Sequence, residues 1–235
     1  MKQLSLVSVN VGRPRPVRVG AKRSTSAIFK EPVEGRVAVR GVNVDGDDQA
    51  NRTVHGGPDK AVYAYSHEDY LWWSERLGRD IGPGTFGDNL TVSGLDVSGA
   101  LVGERWRIGT VTLEVAQPRI PCWKLGGRMG DPGFPRKFSQ ANRPGTYLRI
   151  VAEGELGAGD RIEVLERPDH EVSVGLIALV YYAAPERAAE ILEAPSLPEG
   201  WREWALKAAA RRSVEAGARP ADPRGELPTI PPTDR

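Results

Sequence analysis

From residue 1 to about 167 the chain is a succession of short Val- and Ile-rich runs in which apolar and polar residues alternate. KQLSLVSVNVG, EGRVAVRGVNV, KAVYAYS, NLTVSGL, RWRIGTVTLEVAQ, GTYLRIVAEGE and DRIEVLE are each bounded by Gly, Pro, Asn or Asp. A period of two places alternate side chains on opposite faces of a strand, and turn residues between runs return the chain on itself. The pattern predicts a mainly β unit with one wetted face, either an open sheet or a small barrel.

One helix interrupts this pattern. Ser66 followed three residues later by Asp69 has the form of a capping box, Tyr70, Trp73 and Leu77 recur at helical spacing, and Gly78 supplies a stop. After Arg167 and Pro168 the chain becomes Ala-rich, which predicts three short helices. The first is capped by Ser173 and runs to about Tyr182, the second runs from Pro185 to about Leu192, and the third follows Pro198. In the third, Trp201, Trp204, Ala205 and Ala208 form an apolar stripe. The expected organisation is a β unit over residues 1–167, a three-helix segment over 168–216 and a Pro- and charge-rich tail over 217–235.

Thirty-two basic residues against 31 acidic ones leave no overall field to attract nucleic acid or an anionic membrane, so any anion site must be local. No apolar run approaches the ~20 residues that cross a bilayer. The first residues, MKQLSLVSVNVG, are too short and polar for a secretory signal, and a single cysteine forms no internal disulfide; both point to the cytoplasm. The Asn-x-Thr triplets at Asn51 and Asn89 then carry no glycan, and three scattered histidines give no zinc-ligand spacing.

Three stretches carry candidate chemistry. GPGTFG, residues 82–87, spells a dinucleotide-binding pattern, but a helix precedes it and a strand follows, the reverse of the context that aims backbone N–H groups at pyrophosphate; it reads as a turn. HGGPDKAV brings His55 and Lys60 to one turn, with Gly56 and Gly57 allowing close backbone approach to a ligand; an ordinary surface turn is the alternative. Cys122 lies in QPRIPCWKL between Pro121 and Trp123, near Arg119 and Lys124. A lone cysteine can be a small buried hydrophobe. Neighbouring cations instead favour the thiolate over a thiol of pKa ~8.5, and a thiolate attacks electrophiles or binds soft metals. A nucleophilic role requires a histidine base, His55 or His67. A metal role requires ligands from elsewhere, such as an organic cofactor.

Taken in order, GDDQANRTVHGGPDKAVYAYSHEDYLWW, GTFGDNLTVSGL, VGERWRIGTVTLEVAQPRIPCWKL and GTYLRIVAEGELGAGDRIEV resemble the MOSC domain, named for the C-terminal domain of molybdenum cofactor sulfurase. The three-helix segment resembles the appendage of its YiiM-type bacterial subgroup, so the likeness covers roughly residues 1–210. The resemblance implies a β-barrel-like fold that binds the molybdenum cofactor (molybdopterin), with Cys122 ligating molybdenum or carrying sulfur. It also matches His55, Gly56, Gly57, Asp59 and Lys60 to one family segment, and Gly87, Asp88 and Asn89 to another in which Glu is commoner than Asp88. Arg119 and Lys124 become the expected phosphate or pterin contacts.

The activity so implied is reduction of N-hydroxylated compounds such as hydroxylaminopurines, a detoxification. His55 is the candidate proton donor, and electrons come from a separate reductase, because one cysteine cannot hold an iron–sulfur centre. The alternative is a non-catalytic carrier of sulfur or cofactor on Cys122. A third reading makes the helices a binding surface, Trp201 and Trp204 anchoring a partner or a homodimer, against the simpler expectation that both pack inward.

Overall fold

The computed structural model describes residues 3–48 and 56–217, with side chains as far as residue 211. Thirteen strands are found among them: β1 (Ser5–Val11), β2 (Arg15–Val19), β3 (Lys22–Ser26), β4 (Glu31–Val33), β5 (Arg36–Arg40), β6 (Asn43–Val44), β7 (Val62–Ser66), β8 (Leu90–Ser93), β9 (Arg105–Ile108), β10 (Val111–Pro118), β11 (Thr146–Ala152), β12 (Gly154–Gly157) and β13 (Ile162–Glu166). Eight form one sheet in the order β13-β9-β10-β11-β7-β8-β1-β4. Every neighbouring pair is antiparallel except β7 and β8, which run parallel with a helix between them in sequence. Parallel pairing needs such a crossover.

The sheet closes on itself. Leu6 N–H donates to Asp160 O at 2.8 Å, Gly159 N–H to Leu6 O at 2.8 Å and Ile162 N–H to Leu4 O at 2.9 Å, so β1 meets the approach to β13. Closure pairs the polar edges that an open sheet would present to other chains. The inward side chains form one apolar core, with Leu6, Val62, Leu90, Val92, Trp106, Leu113, Val115 and Leu148 almost wholly buried. Val39, Val44 and Leu156, from the small sheet β12-β5-β6, join it. Each such residue contributes about 2 kcal/mol relative to exposure. The mainly β, barrel-like expectation holds.

Helix α1 (His67–Leu77) follows β7 at the expected place. Ser66 Oγ accepts from Asp69 N at 3.2 Å and Gly78 takes the left-handed conformation at the C-cap. The Asp69 carboxylate turns away to pair with Arg143, and Glu68 Oε2 instead accepts from the Ser66 hydroxyl at 3.0 Å. Ser66→Ala is expected to lower stability by about 1 kcal/mol, read from denaturant melts; an unchanged midpoint would mean the cap contributes nothing.

Two further helices, α2 (Trp123–Met129) and α3 (Phe134–Gln140), correct the expectation of a single helix within the β unit. Both are only 7 residues long, too short for a recognisable period, and α2 contains a Gly-Gly pair that reads as a break. The second of these glycines serves contact instead. A Cβ on Gly127 would lie 2.8 Å from both Val17 Cγ2 and Val19 Cγ2, so the helix can sit on the hairpin β2–β3 only without one. That hairpin, RPVRV paired with KRSTS, also escapes prediction, because it carries few apolar residues and much exposed charge. Beneath α1, α2 and α3 lies an aromatic cluster of Tyr65, Tyr70, Trp73, Phe86, Phe134 and Phe138, with Tyr65 and Tyr70 rings each 5.0 Å from Phe86.

The C-terminal elements are α4 (Val174–Tyr182), a 3-10 run over Pro185–Glu193 in place of an α-helix, and α5 (Glu199–Gly217). Ser173 Oγ caps α4 by accepting from Leu176 N at 3.1 Å. Ile177, Val180, Ile191, Leu197 and Trp201 pack together over Val102 and Val172. Trp201 is thereby turned inward, in keeping with the simpler expectation for it. No helix among the described residues is long and apolar enough to cross a membrane. The tail from residue 218 onward lies outside the described residues.

Candidate active site

The strand β10 delivers the site. It ends at Pro118, and the chain passes through Arg119 to Cys122, whose extended backbone (φ −109°, ψ 172°) leads into α2. Cys122 is partly exposed and lines a narrow open cleft of about 100 Å³ together with Lys30, Asp47, Asp48, Lys60, Asn89, Arg119 and Lys124. Four cations therefore face two carboxylates, a local positive excess in a chain of net charge +1.

Arg119 and Lys124 are far more buried than a surface loop would leave them, at 6% and 5% exposed. Arg119 Nη1 donates to Phe86 O at 2.5 Å, and its guanidinium stacks near the rings of Tyr63 (5.3 Å) and Phe138 (5.7 Å). Burial by itself would lower its pKa, but the Tyr63 and Tyr147 hydroxyls and the Cys122 sulfur outweigh this and hold it above the ordinary arginine value. Burial pushes the Tyr63 and Tyr147 phenols up, so both stay protonated at neutral pH. Lys124 forms no hydrogen bond or ion pair among the described residues, although it is buried and lines the cleft. Its ammonium is not among the buried polar atoms left without a partner, so it reaches the open cleft, where an anionic ligand can meet it.

The cleft floor is a polar construction that the sequence did not announce. Lys30 pairs with Asp47, the two side chains being 8% and 2% exposed. Asp47 also accepts from Gly12 N at 2.8 Å and from Asn89 Nδ2 at 2.9 Å. Burial lowers the Lys30 pKa, with Asp47 opposing it. Asn89 lines the cleft with its amide already engaged, Oδ1 accepting from Tyr63 N at 3.1 Å, so it acts by holding Asp47 and β7 in place.

Asp88 lies behind this floor and is fully buried. Its carboxylate accepts from Tyr70, Thr91 (2.6 Å) and Asn10 (3.3 Å), which makes it an organiser of the barrel wall. GPGTFG is a turn, as expected. Gly84 (φ +76°) is required there, because a Cβ would stand 2.7 Å from Lys30 O.

The HGGPDKAV turn contributes in two directions. Lys60 lines the Cys122 cleft, where burial lowers its pKa, and also a second, wider cleft that Gly56 and Gly57 border. Arg149 holds the turn, giving Nε to Asp59 Oδ1 (2.5 Å), Nη1 to Glu114 Oε1 (2.8 Å) and Nη2 to Ser196 O (2.9 Å). One guanidinium thus ties the turn, the barrel and the C-terminal segment together. His55 lies outside the described residues. Sequence reasoning missed Lys30, Asp47 and Tyr147; Asp47 and Tyr147 stand inside stretches already singled out, whereas Lys30 has no motif around it.

A family profile described as the MOSC domain matches residues 51–163. The chain is 36% identical over 207 residues to the uncharacterized protein YflK of Bacillus subtilis, covering 86% of this chain and 94% of that one. It is 32% identical over 173 residues to a reductase of Gibberella moniliformis, covering 72% of this chain but 30% of that longer protein. Among solved structures, YiiM from Geobacillus stearothermophilus superposes with a TM-score of 0.72 at 33% identity, over 87% of this chain and 98% of that one. With the family match, the barrel fold and relatives matched over most of their length in agreement, this chain belongs to the MOSC-domain family.

Proposed function

We propose that this protein binds the molybdenum cofactor in the Cys122 cleft and reduces N-hydroxylated compounds such as hydroxylaminopurines. The observation that carries the reading is the partly exposed Cys122 in a cleft whose walls include Arg119, Lys60 and Lys124. The donor set fits the group: a thiolate suits molybdenum, and clustered cations suit a phosphate. One protein thiol is sufficient because the pterin dithiolene brings its own sulfurs.

When bound, the cofactor supplies a Lewis-acidic two-electron centre for N–O bond cleavage. Cys122 is its protein ligand, and Lys124, Arg119 and Lys60 hold the anionic end. The overall conversion consumes two electrons and two protons per N–O bond, releasing an amine and water. His55 is the proposed proton donor, since imidazole titrates near neutrality. A single cysteine in the chain leaves the electrons to a separate reductase, and the reductase name of the longer fungal relative is in keeping with redox work. The proposed place of action is the cytoplasm, with no nucleic-acid or membrane partner.

The test is turnover of an N-hydroxylated purine by cofactor-loaded protein with an artificial electron donor. Reduction supports the enzyme; bound molybdopterin with no turnover on any N-hydroxylated compound supports the carrier of cofactor or sulfur. Lys124→Met is expected to weaken cofactor retention about tenfold, the loss of one charge-assisted contact, measured by pterin content after dialysis. Retention equal to that of the unmodified protein would remove Lys124 from the anion site.

A further inference from the structure

We propose that the wider cleft, between the end of β10 and the C-terminal helices, takes the planar heterocyclic ring of the substrate, an inference that rests on the reductase reading above. This cleft measures about 370 Å³ and shares Lys60, Ile120 and Tyr147 with the Cys122 cleft, so a ligand seated in it lies alongside the reacting centre. Its far wall is aromatic. Tyr181 stands 5.3 Å from both Trp201 and Trp204, and the two indoles are 5.8 Å apart at 81°.

The wall is held rigidly where it meets the barrel. Trp201 Nε1 donates to Gln117 Oε1 at 2.8 Å, and Gln117 Nε2 donates to Asp59 O at 3.0 Å. The indole N–H of Trp204 and the hydroxyl of Tyr181 hold no hydrogen bond among the described residues, although both side chains line the cleft. They can meet the nitrogens and exocyclic groups at a ring edge, while the rings supply a stacking face.

Charge separates the two candidate heterocycles, the substrate's ring and the cofactor's pterin. Among the described residues, Lys30, Arg119 and Lys124 line the first cleft and not the second, which has Lys60 as its one cation. Its carboxylate, Asp59, is taken by Arg149. A phosphate-bearing ligand is drawn to the first cleft, which leaves the aromatic one for an uncharged ring.

The test titrates free adenine, as a ring without the N–O bond, into full-length protein isolated with and without cofactor, read by saturation-transfer NMR and tryptophan fluorescence. Saturable binding to both forms is expected, weakened about tenfold by Trp204→Ala and restored by Trp204→Phe. Trp204 is partly exposed, so the variants keep their fold. Absence of saturable binding, or binding that ignores Trp204→Ala, overturns the proposal. Binding that vanishes on cofactor loading also overturns it, by giving the cleft to the pterin. Because adenine binding is read without turnover, failure of the reductase reading shows separately in the activity assay.

Discussion

Cys122→Ala is expected to abolish the proposed turnover of an N-hydroxylated purine, a loss of about a hundredfold or more, while the melting temperature stays within a degree or so. The two halves of this expectation have separate physical grounds. Cys122 precedes α2 without giving its side chain to a cap hydrogen bond, and it is only partly buried, so removing the sulfur leaves no cavity and no unpaired polar group. The same atom is the one soft ligand the cleft offers. Assay with an artificial electron donor, beside a thermal melt, separates the two halves. Turnover that survives the substitution sinks the ligand role, and a collapse of the melt would reveal a packing role instead.

Asp47→Ala is expected to cost about 3–5 kcal/mol of stability, because it strands the buried Lys30 ammonium without its counter-ion. The same change releases Gly12 N and Asn89 Nδ2, so the cleft floor loosens along with the barrel wall. Denaturant unfolding of the single variant and of the pair Lys30→Met with Asp47→Leu gives the check. The double variant should recover most of the loss, since no buried charge then remains unpaired. A single variant within 1 kcal/mol of the parent, roughly the value of an exposed ion pair, would mean that water reaches this pair.

Much of this architecture was legible in the residues, and the exceptions share a cause. Alternation located most of the strands of the main sheet, because each presents one face to the core, as with Leu113 and Val115 in β10. Local capping chemistry located α1 and α4, whose signals, Ser66, Gly78 and Ser173, lie within a few residues of what they stabilise. Arg119, Cys122 and Lys124 were found together because they are neighbours in sequence. Lys30 and Asp47 were not, since the pair depends on β1 and β4 bringing distant loops side by side, with Val11 opposite Glu31.

The same limit applies to Tyr147, Trp201 and Trp204. Their helical spacing marked the tryptophans as an apolar stripe, which Trp201 confirms by packing inward. Nothing in that spacing says that β11 and α5 form two walls of one cleft. That juxtaposition depends on tertiary contacts such as Trp201 to Gln117 and Arg149 to Ser196. Conversely, α2 was hidden by its own glycines: the purpose of Gly127 appears only when β2 is seen packed against it, and that of Gly126 when Asp131 and Pro132 are seen returning beside it.

The most direct measurement is molybdenum content with oxidised-pterin fluorescence, taken on full-length protein freshly purified from cells making ample cofactor. Near-stoichiometric molybdenum and pterin that fall away in Cys122→Ala are the predicted result. Folded protein carrying neither, purified from such cells, would contradict the assignment of this cleft to the cofactor.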